Sequence, residues 1–206
     1  MIPRPRRSLP AIGLFGSAGT ATCLTNAAPV RAEPSDDAEQ VTQLLRGEPV
    51  EVREALDGWA RIETAYAYPG WVREEDLGPA QVGPWLERRT GDVLSEARAY
   101  LGAPYEWGGM TERGIDCSGL VHMAFRRLGV LVPRDSWQQE AAGLEVAEGD
   151  LRPGDLVCYE GHIAFWAGEG RILHASGRAG VERVLEEPEP HKLSASFRSY
   201  RRLMTD

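Results

Sequence analysis

A cysteine and two histidines in the second half of the chain have the order expected of a thiol nucleophile, its base and an orienting group. Cys117 opens a predicted helix, and His162 and His174 lie on neighbouring predicted strands of one hairpin. A thiol attacks as the thiolate, and the unpaired N–H groups and macrodipole of a helix N-terminus favour negative charge there. A base held in one tautomer by a third polar group completes such a centre. These three residues predict acyl transfer by a Cys-His-His triad.

The spacing of the two histidines supports this grouping. Their separation along the chain is even, so both side chains can share one face of a sheet. A three-residue loop over 168–170 is expected to pair Ala167 with Arg171. In that register the two histidines become diagonal neighbours.

Other interpretations of the same residues remain open at this point. A lone cysteine at a helix start is weak evidence, and the strand histidines could equally be satisfied core or surface residues. His122 falls opposite the apolar face of the Cys117 helix, so it is predicted to be a solvated surface residue. His191 lies among prolines and glutamates in a predicted loop. Asn26 is the only asparagine and lies near the N-terminus, which makes a Cys-His-Asn triad implausible.

The cysteine count argues against a disulfide framework and against a metal centre. The chain has 3 cysteines, which are widely spaced and odd in number. Cys158 alternates with Tyr159 on a predicted strand and is interpreted as a small core residue. A zinc set built from Cys117, Cys158, His162 and His174 lacks the close ligand pairs of structural zinc sites. We therefore predict no metal and no cofactor.

Composition and charge limit the class of partner. Of the 206 residues, 42% are hydrophobic and 26% are charged, which is ordinary globular composition and allows two small domains. The formal net charge of −8 opposes binding to a phosphate backbone, so nucleic acid is excluded as a partner. A substrate that carries an amine fits this charge better.

The N-terminal segment has the charge layout of an export signal. Arg4, Arg6 and Arg7 precede an uncharged stretch from Ser8 to Val30. Pro10 and several glycines weaken its apolar character, so no stable membrane span is predicted. We expect residues 1–23 to be a leader or a disordered N-terminus and favour the cell envelope over the cytoplasm. The alternative is that this segment leads into the first strand of the next domain.

The surrounding elements predict a two-domain α+β chain. Short β-type runs separated by turn residues, such as the pair around Asp57-Gly58, predict a small β-barrel over residues 24–80. Proline and glycine between 78 and 84 make a linker, and the second domain covers residues 85–206. Its predicted elements are helices at Asp92–Leu101 and Asp116–Leu128, followed by strands at Leu156–Tyr159, His162–Ala167 and Arg171–Ser176.

Two sets of ordered motifs resemble known bacterial domains. Phrases between about residues 28 and 78 resemble the SH3-like domains attached to wall hydrolases; they are Ala32-Glu-Pro34, Gln43-Leu-Leu-Arg-Gly-Glu48, Gly58-Trp-Ala-Arg-Ile62 and Tyr68-Pro-Gly-Trp-Val72. The stretch from about 92 to 178 is similar to the NlpC-type cell-wall cysteine peptidases, which implies a papain-like α+β domain. The motifs that carry this resemblance are Tyr100-Leu-Gly-Ala-Pro-Tyr-Glu-Trp-Gly-Gly109, Asp116-Cys-Ser-Gly-Leu-Val121, Pro133-Arg-Asp-Ser136, Gln138-Gln139, Leu151-Arg-Pro-Gly-Asp-Leu-Val157, Gly161-His-Ile-Ala164 and Ile172-Leu-His-Ala-Ser176.

The resemblance implies a role for each catalytic candidate. Cys117 corresponds to the family's nucleophile, His162 to its base and His174 to its third polar residue. Tyr105 would support the oxyanion together with the backbone N–H of Cys117.

Further residues match positions that line the family's substrate pocket. Asp116 is expected to bind the free amine of an N-terminal L-alanine, and residues of the barrel would close over that amine. Tyr66 competes with Tyr68 for the barrel's aromatic role. The full set of expected pocket residues is Trp107, Asp116, Ser118 and Ser136 from the second domain and Glu48 and Tyr68 from the barrel.

The resemblance also implies an activity. We expect a peptidase that cleaves the γ-D-glutamyl to diamino-acid bond of muropeptides, with peptidoglycan-derived peptides as its partners. One alternative is a catalytically silent protein that binds wall peptides, and another is a Cys-His amidase or acyltransferase with a different acyl substrate. Whether diaminopimelate or lysine occupies the third peptide position, and the oligomeric state, stay open.

Overall fold

Seven strands form the N-terminal part of the chain. The structure is a computed structural model that describes residues 19–203. The strands pair antiparallel in the spatial order β3-β2-β6-β5-β4-β1-β7. They are β1 Gly19–Cys23, β2 Ala27–Arg31, β3 Gln40–Leu45, β4 Pro49–Leu56, β5 Trp59–Thr64, β6 Pro69–Arg73 and β7 Leu77–Pro79.

The strands wrap around a small apolar core of their own. Leu44, Ile62 and Val72 are buried at its centre, because alternate side chains of each strand point inward. The tight turn between β4 and β5 has positive φ at Asp57 and Gly58, as hairpins of this type need. The predicted all-β N-terminal unit is confirmed, although its sheet is an open strand order in the described residues rather than a closed barrel.

The N-terminal boundary differs from the one expected. Gly19–Cys23, placed in the predicted leader, form strand β1 between β4 and β7. Ala21 and Cys23 are buried in the core, which explains why this uncharged stretch is part of the sheet. Residues 1–18, where the rest of the predicted leader falls, lie outside the described residues.

The second domain places four helices against a six-stranded antiparallel sheet. The sheet has the order β10-β15-β11-β12-β13-β14, and β8 and β9 form a separate small ladder. The elements are α1 Val93–Arg98, β8 Met110–Thr111, β9 Gly114–Ile115, α2 Cys117–Arg127, α3 Ser136–Ala142, β10 Leu144–Glu145, β11 Leu156–Tyr159, β12 His162–Gly168, β13 Arg171–Ser176, β14 Arg183–Pro188, α4 His191–Ser194 and β15 Phe197–Arg202. The predicted α+β class is confirmed.

Helix α2 is the central element of this domain. Asp116 caps its N-terminus by accepting a hydrogen bond from the Gly119 N–H, and Gly129 follows its end with φ of +82°. The helix is buried on nearly all sides, since the sheet covers one face and the N-terminal domain another. His122 is consequently 0% exposed, and the prediction that it is a solvated surface residue is wrong.

The hairpin β12–β13 carries the two strand histidines on one face. Phe165 pairs with Leu173, which is the expected register. Near the turn Gly168 pairs with Arg171 instead of Ala167, because a bulge absorbs one residue. The bulge lies beyond the histidines, so it leaves their shared face unchanged.

No helix among residues 19–203 combines the length and the apolar character needed to cross a bilayer.

Candidate active site

Cys117 is the first residue of α2 and is nearly covered. Its side chain packs in the domain core and is 8% exposed. Burial raises the pKa of Cys117 to about 12, and the Asp116 carboxylate adds to the rise, while the backbone of Ile163 and Ser118 opposes it. Burial of the thiol thus opposes the field of the helix N-terminus, which was expected to favour the thiolate.

His162 and His174 are in direct contact. Nε2 of His162 lies 2.7 Å from Nδ1 of His174, and the rings meet edge to face with centroids 5.0 Å apart. Burial lowers the pKa of His162 to about 3, and His174 adds to the fall. Burial lowers the pKa of His174 as well, so both rings favour the neutral form, and Nδ1 is the His162 nitrogen that does not face His174.

The structure adds an acidic residue that the sequence did not reveal. Glu187 on β14 lies with Oε1 3.1 Å from Nε2 of His174. Its other oxygen, Oε2, accepts a hydrogen bond from Arg178 at 3.1 Å. In the sequence Glu187 is one of several glutamates before the loop at 188–190, and strand β14 was not predicted.

Tyr105 lies close to Cys117. Burial is the main cause that raises the pKa of Tyr105 to about 12, and Cys117 and Asp116 raise it further. Its hydroxyl therefore stays protonated at neutral pH and can donate a hydrogen bond. Its ring sits against Gly177, where an added Cβ would come within 3.1 Å of the ring carbons.

Asp116 is placed next to the nucleophile, but its carboxylate is already occupied. Oδ1 accepts from the Gly119 N–H at 2.6 Å and from Arg134 Nη1 at 3.0 Å. Oδ2 accepts from the Gly108 N–H at 2.8 Å and from Arg134 Nη2 at 2.7 Å. Ser118 joins the same group through its hydroxyl. Asp116 therefore caps α2 and pairs with Arg134, and its carboxylate is not free to bind an amine.

A different carboxylate faces the N-terminal domain. The Tyr68 hydroxyl donates to Asp135 at 3.0 Å from Oδ1 and 3.2 Å from Oδ2. Burial raises the pKa of Tyr68, and Asp135 raises it further. Ser136 begins α3 directly after this contact. Asp135 was part of a recognised motif but was not predicted as a pocket residue, because a helix-capping aspartate has the same sequence signal.

Glu48 does not join Tyr68 and Asp135. Its carboxylate is 0% exposed. It bonds to Nη1 of Arg126 at 2.8 Å and to the backbone N–H of Leu45 at 3.2 Å. Burial raises the pKa of Glu48, although Arg126 opposes the rise. The expectation that Glu48 closes over the substrate amine disagrees with this buried position.

Tyr66 and Trp107 also bridge the two domains. The Tyr66 ring meets His122 at a centroid distance of 4.4 Å, so Tyr66 lies in the interface and Tyr68 remains the barrel tyrosine at the Asp135 carboxylate. Trp107 is 60% exposed. Its indole N–H donates to Glu39 of the N-terminal domain at 2.7 Å.

A cavity of about 630 Å³ adjoins the histidine pair on the side of α4. Its wall includes both rings, and charged side chains of both signs surround its mouth: Glu160, Arg178 and Lys192. It can accept a ligand portion that carries ionised groups.

Family comparisons agree with this two-part arrangement. A model of the NlpC/P60 family matches residues 102–199, and a model described as the bacterial dipeptidyl-peptidase Sh3 domain matches residues 30–77. The first match contains Tyr105, Cys117, His162 and His174.

Curated relatives align with about two thirds of the chain. Dipeptidyl-peptidase 6 of Lysinibacillus sphaericus is 32% identical over 138 residues, covering 66% of this chain and 51% of that protein. Gamma-D-glutamyl-L-lysine dipeptidyl-peptidase of Bacillus subtilis (strain 168) is 31% identical over 137 residues, covering 66% of this chain and 43% of that protein. The chain thus spans about half the length of these relatives.

A solved structure shares the fold. An NlpC/P60 family protein from Bacillus cereus ATCC 10987 superposes with a TM-score of 0.52 at 23% identity, over 90% of this chain and 63% of that one.

Proposed function

We propose, on the premise that this chain belongs to the NlpC/P60 family and carries a bacterial dipeptidyl-peptidase SH3 domain before its peptidase domain, that it hydrolyses cell-wall peptides with a cysteine nucleophile. The observation that carries the proposal is the contact of 2.7 Å between His162 Nε2 and His174 Nδ1. That contact leaves the other nitrogen of His162 for the thiol of Cys117, which lies at the start of α2 beside the backbone of Ile163.

The chemistry follows from the protonation states of the free site. Thiol and imidazole are both neutral there, so His162 Nδ1 takes the thiol proton as the sulfur attacks the substrate carbonyl. The tetrahedral oxyanion accepts hydrogen bonds from the Cys117 N–H and the Tyr105 hydroxyl. His162 then gives its proton to the leaving amine, and a thioester forms. Water, deprotonated by the same imidazole, releases the acid and restores the thiol.

The proposed scissile bond joins γ-D-glutamate to a diamino acid. The names of relatives support this choice, since one of them is a gamma-D-glutamyl-L-lysine dipeptidyl-peptidase. A dipeptide-releasing enzyme must bind the free N-terminus of the peptide at a fixed distance from its nucleophile. Asp135, with Tyr68 bonded to it, is the carboxylate best placed between the domains to hold that amine. Asp116 and Glu48 are left out of this subsite because each already forms a buried ion pair, with Arg134 and Arg126. The hydrogen-bond donors to Asp135, the Tyr68 hydroxyl and the backbone of α3, are uncharged.

The part of the substrate beyond the scissile bond has a place on the opposite side. The cavity next to His162 and His174 carries Lys192 and Glu160 at its mouth. A diamino acid presents carboxylate and ammonium groups, which these two side chains can pair with. Substrate would then lie across the site, with its amine toward the N-terminal domain and its leaving group toward α4.

The decisive experiment measures dipeptide release from L-Ala-γ-D-Glu-diaminopimelate by the wild type and by Cys117→Ala. We expect release by the wild type and none by the variant. A matched substrate with an acetylated N-terminus should be cleaved poorly by the wild type, because its amine can no longer pair with Asp135. Equal release by both proteins would refute the cysteine mechanism, and equal cleavage of both substrates would refute the amine subsite.

A further inference from the structure

We propose that Glu187 is a positioning residue that selects the ring tautomers of His174 and His162, so that Nδ1 of His162 can accept the thiol proton. This inference rests on the proposed function and deepens it by adding a fourth member to the Cys-His-His group. Glu187 does not contact the reacting atoms. It acts through His174.

The position of Glu187 follows from the sheet register. Leu185 on β14 pairs with His174 on β13, and Glu187 pairs with Ile172. Residues two apart on a strand share a face, so Glu187 lies diagonal to His174 on the same side of the sheet. The observed contact of 3.1 Å between Glu187 Oε1 and His174 Nε2 agrees with this placement.

The tautomers follow from the chain of contacts. An ionised carboxylate can only accept hydrogen bonds, so Nε2 of His174 must carry the proton that faces Glu187. Nδ1 of the same ring is then an acceptor. Because it lies 2.7 Å from Nε2 of His162, that nitrogen must be the donor. Nδ1 of His162 is left without a proton, which is the state a general base needs.

Without the acceptor at 187, the opposite arrangement becomes available. His174 could carry its proton on Nδ1 and donate it to His162 Nε2. His162 would then carry its own proton on Nδ1, facing the thiol, and could not act as a base. Glu187 therefore discriminates between a competent and an incompetent hydrogen-bond chain of similar geometry.

Arg178 keeps Glu187 ionised. Burial acts to raise the pKa of Glu187, but hydrogen bonds from Arg178 and His174 outweigh it and hold the pKa below its usual value. Arg178 Nη2 and Glu187 Oε2 are 3.1 Å apart. Other ionisable groups that face this group are His162 on β12 and Lys192 at the mouth of the same cavity. When His162 takes the thiol proton, the carboxylate also stabilises the resulting cation through the neutral ring of His174.

The test compares three variants of the full chain with the wild type. Glu187→Leu removes the acceptor, Glu187→Gln keeps an acceptor oxygen without the charge, and Glu186→Gln is the matched control on the same strand. Glu186 pairs with Arg98 and Arg171 and does not contact either histidine. We expect kcat of Glu187→Leu to fall about a hundredfold with little change in KM. Glu187→Gln should recover much of that loss, and the control should match the wild type.

A second measurement reports the tautomers directly. Nitrogen-15 spectra of the protein labelled in its 4 histidines should place the His174 proton on Nε2 in the wild type. Glu187→Leu should move part of the population to the Nδ1 form. An unchanged His174 tautomer in Glu187→Leu, or a kcat within twofold of the wild type, would overturn the inference. If the wild type releases no dipeptide, the proposed function fails, while the spectra still decide the role of Glu187.

Discussion

Helix α2 separates two groups of polar residues that resemble each other in composition and differ in how their charges are paired. Each group contains a tyrosine, a histidine and a carboxylate. The interdomain cluster lies toward the N-terminal domain and consists of Glu48, Tyr66, Asp116, His122, Arg126 and Arg134. The catalytic cluster lies toward the sheet and consists of Tyr105, Cys117, His162, His174 and Glu187.

The two clusters treat charge differently. In the interdomain cluster, two arginines meet two carboxylates in buried ion pairs, and Asp116 uses both oxygens several times over. In the catalytic cluster, burial raises the pKa of Cys117 and lowers the pKa of His162, so the proposed nucleophile and base both favour their neutral forms. In the interdomain cluster the charges are opposed in pairs, although Oε1 of Glu48 and both ring nitrogens of His122 lack hydrogen-bond partners in the described part of the chain. No such ion pair holds Cys117 or His162 in the catalytic cluster.

The largest expected effect is on the free energy of unfolding, when an ion pair of the interdomain cluster is broken. Arg134→Leu leaves the Asp116 carboxylate buried without its ion-pair partner, and Arg134 is itself 1% exposed. Removal of one partner of a buried pair costs about 3–5 kcal/mol. We therefore expect the free energy of unfolding, measured by urea denaturation, to fall by that amount.

Two further variants test whether the pairing is the cause. Arg53→Leu removes an exposed arginine from its ion pairs with Glu51 and Glu63, and it should leave the free energy of unfolding close to that of the wild type. The double variant of Arg134→Leu with Asp116→Asn should be more stable than Arg134→Leu alone, because the uncompensated charge is gone. A double variant that is less stable than the single one would contradict the assignment of the loss to charge.

The next effect concerns the catalytic cluster and leaves stability nearly unchanged. Tyr105→Phe removes one oxyanion donor, so kcat for dipeptide release should fall about a hundredfold, which corresponds to about 3 kcal/mol of barrier. The unfolding midpoint in urea should stay close to that of the wild type. A stability loss as large as that of Arg134→Leu would erase the distinction between the clusters.

The sequence predicted the reactive part of the catalytic cluster because local signals carry it. A capped, apolar-striped segment places Cys117 at a helix start, and the period of a strand places both histidines on one face. The resemblance to wall peptidases then supplied Tyr105 and the domain order. In the second domain, patterns of this kind predicted α1, α2, β11, β12 and β13, while α3, α4, β14 and β15 were not predicted.

The remaining residues depend on contacts between distant segments. Glu187 joins the cluster only through the pairing of β13 with β14, and β14 has no clear alternating pattern. His122 is buried because the N-terminal domain covers its face of α2, which no periodicity within the helix can indicate. Asp116 and Glu48 differ from expectation for the same reason: their partners, Arg134 and Arg126, lie far away in the chain.

The third prediction uses pH to separate the histidines of the two clusters. Burial lowers the pKa of His122 from 6.5 to about 3, and Arg126 and Arg134 add to the fall. As the pH falls, the unfolded chain therefore takes up this proton at a higher pH than the folded protein does. The free energy of unfolding consequently decreases below about pH 6.5. The loss for one group is about 1.4 kcal/mol per pH unit. His122→Leu should remove that dependence, so its stability should fall less steeply than the wild type's between pH 6.5 and 5.

The control for the pH experiment is His191→Leu. His191 is exposed on the short helix α4, so this variant controls for the replacement of a histidine by leucine away from the interface. Parallel stability curves for His122→Leu and the wild type would mean that His122 takes up its proton in the folded protein, contrary to its burial.

The smallest expected effect concerns the charged mouth of the catalytic cavity. Lys192 lies there, is exposed and has no ion-pair partner among residues 19–203. A diaminopimelate leaving group has one more carboxylate than lysine, and an exposed pair of this kind contributes about 0.2–1 kcal/mol. Lys192→Ala should therefore raise KM for the diaminopimelate peptide severalfold at most and leave the lysine peptide unaffected, while Lys192→Arg retains the preference. Equal effects on both peptides would show that Lys192 contacts a group common to them, and the side chain of the third residue would then have to be recognised elsewhere in the cavity.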